Sequence, residues 1–318
     1  MGALFTPDRR RILYAACAAV LLFVVGALVR PGFASPDSIS AVLVVASFVG
    51  LVAAGQMFVI LIGGIDLSVP WVLNAGAILL VTSSLGQDDR AAWALLLTLG
   101  MGLGVGALNG IGVALFNVPA VVMTLAMNGI MQGLTLGFSS GMTCGACASY
   151  APKLIQRAAH GTLLGVPTAL WVWFAVAVLV SAVLSLTGFG RRTYAVGTSA
   201  RASYLAGINV TATTIGLYAL SGFFAAAAGI MLVGFGGQAA LGMGDPYLFQ
   251  SIAAVVIGGV AILGGRGHYV GVVAGTISLV ALVSVLMALN MPQYGRSIIY
   301  GVIILALLLL YGREEGES

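Results

Sequence analysis

Charge is the scarcest property of this 318-residue sequence: Asp, Glu, Lys and Arg make up 7% of it, against 60% hydrophobic residues. So small a polar inventory cannot solvate the surface of a globular chain of this length, which leaves a polytopic membrane protein. Lysine is all but missing. The single one, Lys153, stands between Pro152 and Leu154, so there is no Gly-Lys-Ser or Gly-Lys-Thr loop to neutralise a nucleotide's phosphates. If nucleotide hydrolysis drives this protein, another chain does the hydrolysis. Histidine occurs twice, at His160 and His268, and the topology read below puts the two on opposite sides of the membrane, where they cannot share a site. The nucleophile-elbow pattern Gly137-Phe138-Ser139-Ser140-Gly141 falls at a helix end without a strand-turn-helix context. Enzyme chemistry in this chain is therefore not expected.

What is present in abundance is apolar sequence. A membrane span needs roughly 20 such residues, and the runs at 12–30, 40–62, 67–85, 91–116, 118–137, 168–188, 212–236, 248–263, 269–290 and 296–311 predict an all-α protein of ten spans, some short or broken. The eighth is short and holds Gly258 and Gly259, so it reads equally as a tilted or incomplete helix. The whole chain, 1–318, reads as one transmembrane domain, with an outward loop at 138–167 and a cytoplasmic loop at 189–211. Positive residues stay on the cytoplasmic side during insertion. With both termini inside, that side receives Arg9, Arg10, Arg11, Arg191, Arg192, Arg201, Arg266 and Arg313, and the outward side receives Arg30, Arg90, Lys153, Arg157 and Arg296. The triplet at 9–11 imitates a secretory signal, but the apolar stretch after it is longer than a cleaved core and more spans follow. It reads as a retained first helix. The net charge of +4 is a topology signal, spread over loops without interleaved aromatics, and nucleic-acid binding is set aside.

Three cysteines are present. Cys17, in the first helix, reads as a small apolar packing residue. Cys144 and Cys147 form Cys-Gly-Ala-Cys in the outward loop, where incidental thiols and a local loop-bracing disulfide are equally compatible with the spacing; His160 is the only further ligand nearby, too few for a metal site. The 45 glycines include four-residue spacings at Gly106 and Gly110 and at Gly267, Gly271 and Gly275, which suit close helix packing in lipid.

One carboxylate interrupts the apolar runs. Asp66 lies in Gly63-Gly64-Ile65-Asp66-Leu67-Ser68, followed by Val69-Pro70-Trp71. An ionisable group at membrane depth marks a pathway, a helix break or a buried partner. Asp66 reads either as an acceptor for the free amides of a broken helix or as part of the path. Gly64, Ser68, Asn74, Asn109, Asn128 and Gln132 join it as candidates for the break or the path, the amides offering paired donors and acceptors to a passing polar solute or to neighbouring helices. After the sixth span, Thr198 or Ser199 is placed to cap a helix of about eight residues that Gly207 ends. Such an element, carrying Arg201 and Leu205, suits docking on a partner or lying against lipid headgroups.

Tyr194-Ala195-Val196-Gly197 followed by Leu205-Ala206-Gly207-Ile208-Asn209 resembles the cytoplasmic coupling loop of membrane permeases from bacterial ABC sugar importers of the ribose, xylose and galactose type, related to branched-chain amino acid permeases. The resemblance extends to residues 63–68, to Asn109-Gly110 with Pro119 and Thr124-Leu125, to residues 252–259 and to Gly264-Gly265-Arg266-Gly267, and covers the chain from about residue 40 to the end. Pro70 and the Cys-Gly-Ala-Cys run depart from it. It implies a permease homodimer or pseudo-dimer in the inner membrane, a cytoplasmic ATPase carrying the ATP and Mg, a periplasmic sugar-binding protein, and alternating access. It also implies coupling roles at Tyr194, Gly197, Ser199, Arg201, Leu205, Gly207 and Arg266. A branched-chain amino acid permease, or a proton-coupled carrier titrating Asp66, is the alternative.

Overall fold

The computed structural model describes residues 7–139, 141 and 150–316. Thirteen helices occur among them: α1 (Pro7–Val29), α2 (Pro36–Ile60), α3 (Val69–Ser84), α4 (Ala91–Ala114), α5 (Ala120–Phe138), α6 (Lys153–His160), α7 (Thr168–Leu186), α8 (Gly188–Thr198), α9 (Ala200–Leu205), α10 (Val210–Gly236), α11 (Tyr247–Ile257), α12 (Tyr269–Ala288) and α13 (Gln293–Gly316). A two-residue hairpin, β1 (Thr162–Leu163) antiparallel to β2 (Val166–Pro167), precedes α7. The protein is a polytopic helical membrane protein. Seven helices, α1, α2, α4, α5, α7, α10 and α12, are long and apolar enough to cross a bilayer.

Each predicted span coincides with a helix, but two fall short. The third starts only at Val69 and has 16 residues, and the eighth stops at Ile257 after 11. Both are cut where the chain turns back at glycines in the left-handed region, Gly63 (φ +75) and Gly259 (φ +83). The segments that follow α2 and α11 touch, the amide of Gly265 donating to the Leu61 carbonyl at 2.8 Å. Irregular backbone at membrane depth is tolerated when protein surrounds it.

Burial is uneven because lipid replaces water outside and protein fills the centre. α2 is enclosed from Ala46 to Ile60, and α10 packs on α2, α3 and α4. The α4–α10 contact is the closest. A Cβ on Gly106 would strike the Tyr218 carbonyl, and one on Gly222 the Gly102 carbonyl, so the glycines set the approach, as small residues do in membrane interfaces. Gly271 and Gly275 pack in the same way on Gly258. By contrast α1, α4, α5 and α7 turn Leu28, Leu96, Leu125 and Phe174 outward, the apolar exposure expected against lipid tails.

Two corrections arise. Cys17 is exposed on α1 rather than packed. The stretch 138–167 is not a plain loop but carries α6, whose Ile155 and Ala159, four apart on one face, pack on Gly234 of α10. Cys144 and Cys147 lie outside the described residues.

Candidate functional site

The break between α2 and α3 folds back into the bundle, and its carboxylate is fully buried. Ser68 donates to Asp66 Oδ1 from its amide (2.9 Å) and its hydroxyl (2.6 Å), and Ser221 Oγ of α10 donates to Oδ2 at 2.7 Å. Asn109 Nδ2 of α4 donates in turn to Ser68 Oγ at 2.9 Å. Gln56 of α2, in the amide orientation that gives both groups a partner, donates to the Asp66 carbonyl and accepts from its amide, each at 3.2 Å. Thr124 of α5 reaches the Ile65 carbonyl at 3.3 Å while also bonding Ala120. A buried carboxylate without such donors would be strongly destabilising. The acid thus ties the break to α10 directly and to α4 through Ser68, while Thr124 ties its backbone to α5.

Two polar atoms at this knot have no hydrogen-bond partner among the described residues: Asn109 Oδ1 and the Tyr218 hydroxyl. The latter faces the break directly, since a Cβ on Gly64 would sit 2.6 Å from it. Of the residues proposed from sequence, Gly64, Asp66, Ser68 and Asn109 are brought together. Asn74 is buried elsewhere, its Nδ2 donating to the Ala240 carbonyl at 3.0 Å. Asn128 and Gln132 lie on α5, Gln132 exposed. Ser221, Gln56, Thr124 and Tyr218 belong to the knot although sequence reasoning did not select them as site residues. A Ser or Thr inside an apolar helix is ordinary helix glue, and only the isolated Asp66 hinted that donors must lie within reach.

An apolar hollow of about 380 Å³ lies between α3, α4 and α5, against Ile78, Met101, Val105 and Met131. The hydroxyls on its wall, Thr82, Thr135 and Ser139, each donate to a carbonyl three or four residues earlier in the chain. It offers a sugar little to bond.

At the C-terminal end of α2, three segments that are distant in sequence converge. Gly197 of α8 packs so tightly that a Cβ there would strike the Leu61 carbonyl and lie 2.6 Å from the Gly265 amide. Tyr194 donates its hydroxyl to the Gly267 carbonyl at 2.7 Å. Beyond them, Ser199 accepts from the Ala202 amide at 3.2 Å as the cap of α9, and Gly207 (φ +81) follows its end. The cap and the stop lie where the sequence put them, but the helix between has six residues rather than about eight. The preceding stretch, expected as loop, is α8, capped by Thr187 Oγ1 accepting from Gly190 at 3.2 Å. On α9, Ser203 turns inward while Arg201, Tyr204 and Leu205 are exposed, as is Arg266 near the junction.

Among the described residues no three His, Cys, Asp or Glu side chains cluster to hold a metal. His160 stacks on Phe235 with ring centroids 4.3 Å apart; His268 precedes α12.

The family described as "Branched-chain amino acid transport system / permease component" matches residues 38–308. The chain is 32% identical to the ribose import permease protein RbsC of Haemophilus influenzae over 293 residues, 92% of this chain and 90% of that one. It is 33% identical to the ribose import permease protein RbsC of Bacillus subtilis, covering 91% and 89% of the two chains. With the autoinducer 2 import system permease protein LsrC of Escherichia coli (strain K12 / DH10B) it shares 31% over 313 residues, 97% and 89%. No solved structure matches.

Proposed function

This chain belongs to the permease-component family of bacterial ABC importers and is a multi-pass protein of the inner membrane, and from that premise we propose that it passes a monosaccharide into the cytoplasm. The observation that carries the sugar reading is the similarity to ribose import permeases over nine-tenths of both chains. Both termini are cytoplasmic in this reading. A separate ATPase, holding ATP and Mg, docks at the end of the bundle formed by α8, α9 and the Gly264–Gly267 turn, and a periplasmic binding protein delivers the sugar at the other. Two copies of the permease form the path. The exposed polar Gln132 on α5, out of place against lipid tails, supports that pairing.

Alternating access then follows from the contacts. A displacement of α8 pushes through Gly197 on the Leu61 carbonyl and the Gly265 turn without an intervening side chain. Through the Asp66 knot the same break is bonded to α4, α5 and α10, so the motion reaches three spans together. Asp66 serves as the acceptor that holds the break, since a neutral sugar requires no charge. Weak contacts along the path suffice when the binding protein selects the sugar. Coupling by contiguous packed contacts is a physical expectation whose evidence is mutational.

The test is uptake of labelled pentoses, hexoses and leucine in cells carrying the chain with its native partners, with vanadate or a protonophore added. Vanadate-sensitive sugar uptake that survives the protonophore supports the proposal. Leucine uptake makes it an amino acid permease, and uptake that collapses only with the proton gradient makes Asp66 a proton carrier.

A further inference from the structure

A second feature lies at the opposite end of α2 from the α8 junction. Two adjoining hollows, of about 280 and 330 Å³, share Arg30, Phe33 and Ser38. The smaller is floored by the turn from α1 to α2 through Pro31 and Gly32; the larger runs between α2 and α12 along Val42, Val45 and Met287. The turn is a fixed element. Arg30 donates its amide to the Gly26 carbonyl at 2.9 Å, Phe33 and Ser35 donate to Arg30 and Gly32, and the buried Phe33 ring lies over Gly26 and beside Phe23 at 6.1 Å.

The guanidinium of Arg30 and the hydroxyl of Ser38 make no hydrogen bond or ion pair among the described residues. The nearest acid in sequence, Asp37 in the first turn of α2, is exposed and not paired with Arg30. The other hydroxyl on the wall, Ser284, is spent on the Val280 carbonyl at 2.8 Å. Thus the free donors are gathered at one end of the feature and the apolar wall at the other. Arg30 also closes a helix whose neighbouring residues Val25, Leu28 and Val29 are exposed and apolar, which puts the hollow at the rim where lipid headgroups lie. A cation there presents its head to the interface while its surroundings stay in hydrocarbon.

We propose that the hollow between the α1–α2 turn and α12 binds an anionic phospholipid of the surrounding membrane, its phosphate on Arg30 and Ser38 and an acyl chain along Val42, Val45 and Met287. Charge complementarity selects the occupant. A guanidinium takes a phosphate through two parallel N–H donors, and the groove that continues from it is apolar and open to the bilayer. A soluble sugar would leave that wall unused, and a zwitterionic lipid offers the same phosphate with its charge offset by its own amine. The bound lipid would pin α1, otherwise held mainly by α12, to the start of α2. This assignment is independent of the transported substrate.

The test uses the purified full-length protein in detergent, with native mass spectrometry after addition of phosphatidylglycerol or phosphatidylcholine. Phosphatidylglycerol should be retained in preference to phosphatidylcholine, and Arg30→Gln should weaken its retention roughly tenfold, the loss of one charge-assisted contact. Arg30→Lys should keep part of it, and Val45→Trp, which fills the groove without touching the charge, should lower it too. Arg90→Gln, at another outward-side arginine, should leave it unchanged. Equal retention of the two lipids, or no effect of Arg30→Gln in a protein of normal elution volume, overturns the proposal. Inhibition of lipid retention by soluble glycerol phosphate, with Val45→Trp neutral, overturns its acyl-chain half and reduces the feature to a phosphate site.

Discussion

Ser221 donates its hydroxyl to Asp66 Oδ2 at 2.7 Å across 155 residues of sequence, and this bond fastens the middle of α10 to the break between α2 and α3. Its partner oxygen is served by Ser68, whose hydroxyl also receives Asn109 of α4. Removing one donor leaves a buried oxygen short of a partner, which costs more than the bond itself contributes, about 1–3 kcal/mol. Ser221→Ala is therefore expected to lower the thermal midpoint in detergent. Ser221→Thr, which keeps the hydroxyl, should fall less unless its methyl group clashes. A midpoint equal to wild type for Ser221→Ala would remove the knot from the account of stability.

Asp66→Asn separates structure from transport. The amide keeps one acceptor oxygen for Ser68 and presents an NH2 group that the Ser221 hydroxyl can accept. Uptake per correctly inserted molecule is expected to stay within about threefold of wild type, while stability falls by about 1–2 kcal/mol. Abolished uptake at normal protein level and normal stability would assign the negative charge to transport itself.

Gly197→Val tests the junction of α8 with the Leu61 carbonyl. There is no room for even a Cβ, so the helix must shift, and overpacking of this kind costs about 1–3 kcal/mol. The expected result is ATPase subunits that still co-purify with the permease but a loss of sugar uptake. Tyr194→Phe, which removes the hydroxyl that donates to the Gly267 carbonyl, should give the same defect more mildly. If both variants transport normally, the motion does not pass through this contact.

Leu205→Arg tests the exposed face of α9 directly. Leu205 is 77% exposed, so the substitution should not disturb folding, yet a cation in an apolar docking contact should reduce co-purification of the ATPase by an order of magnitude. Ser199→Ala removes the cap of α9 and should weaken docking by a smaller factor, from about 1 kcal/mol of helix stability. Undiminished docking and uptake in Leu205→Arg would dismiss α9 as the contact.

Lys153→Glu with Arg157→Glu tests the surface proposed to face outward. These residues and His160 border a hollow of about 480 Å³ on the face of α6 opposite Ile155 and Ala159. Because α6 is packed on Gly234, charge reversal should leave the fold alone. It should weaken stimulation of ATP hydrolysis by the binding protein, most clearly at low ionic strength, where surface charges are least screened. Stimulation that is unchanged at low salt would place the delivery contact elsewhere.

The local chemistry of this protein was readable in advance. Scarce charge and long apolar runs determined a helical membrane protein, since no other fold leaves so little polar surface. Gly63-Gly64 and Gly258-Gly259 marked the two interruptions. Ser199 and Gly207 marked the ends of α9, because capping is a contact between residues three apart. Helix α8 escaped notice for the converse reason. Its glycine-rich, weakly apolar sequence has little intrinsic helix preference, and packing against the α2 break supplies the rest. Helix α6 was similarly short, with a buried stripe of only Ile155 and Ala159.

By itself, then, the sequence determined the medium, the helices and the presence of one buried acid that required donors. Which donors those are, only the tertiary structure decided. Spans that are apolar on nearly every side carry little periodic signal of which face meets which neighbour, and Ser221, Gln56 and Thr124 look locally like any hydroxyl or amide in such a span. Their convergence on the Asp66 break, and that of Gly197 on Leu61 and Gly265, depends on how closely glycine lets the backbones approach. That distance exists only between helices, not within one.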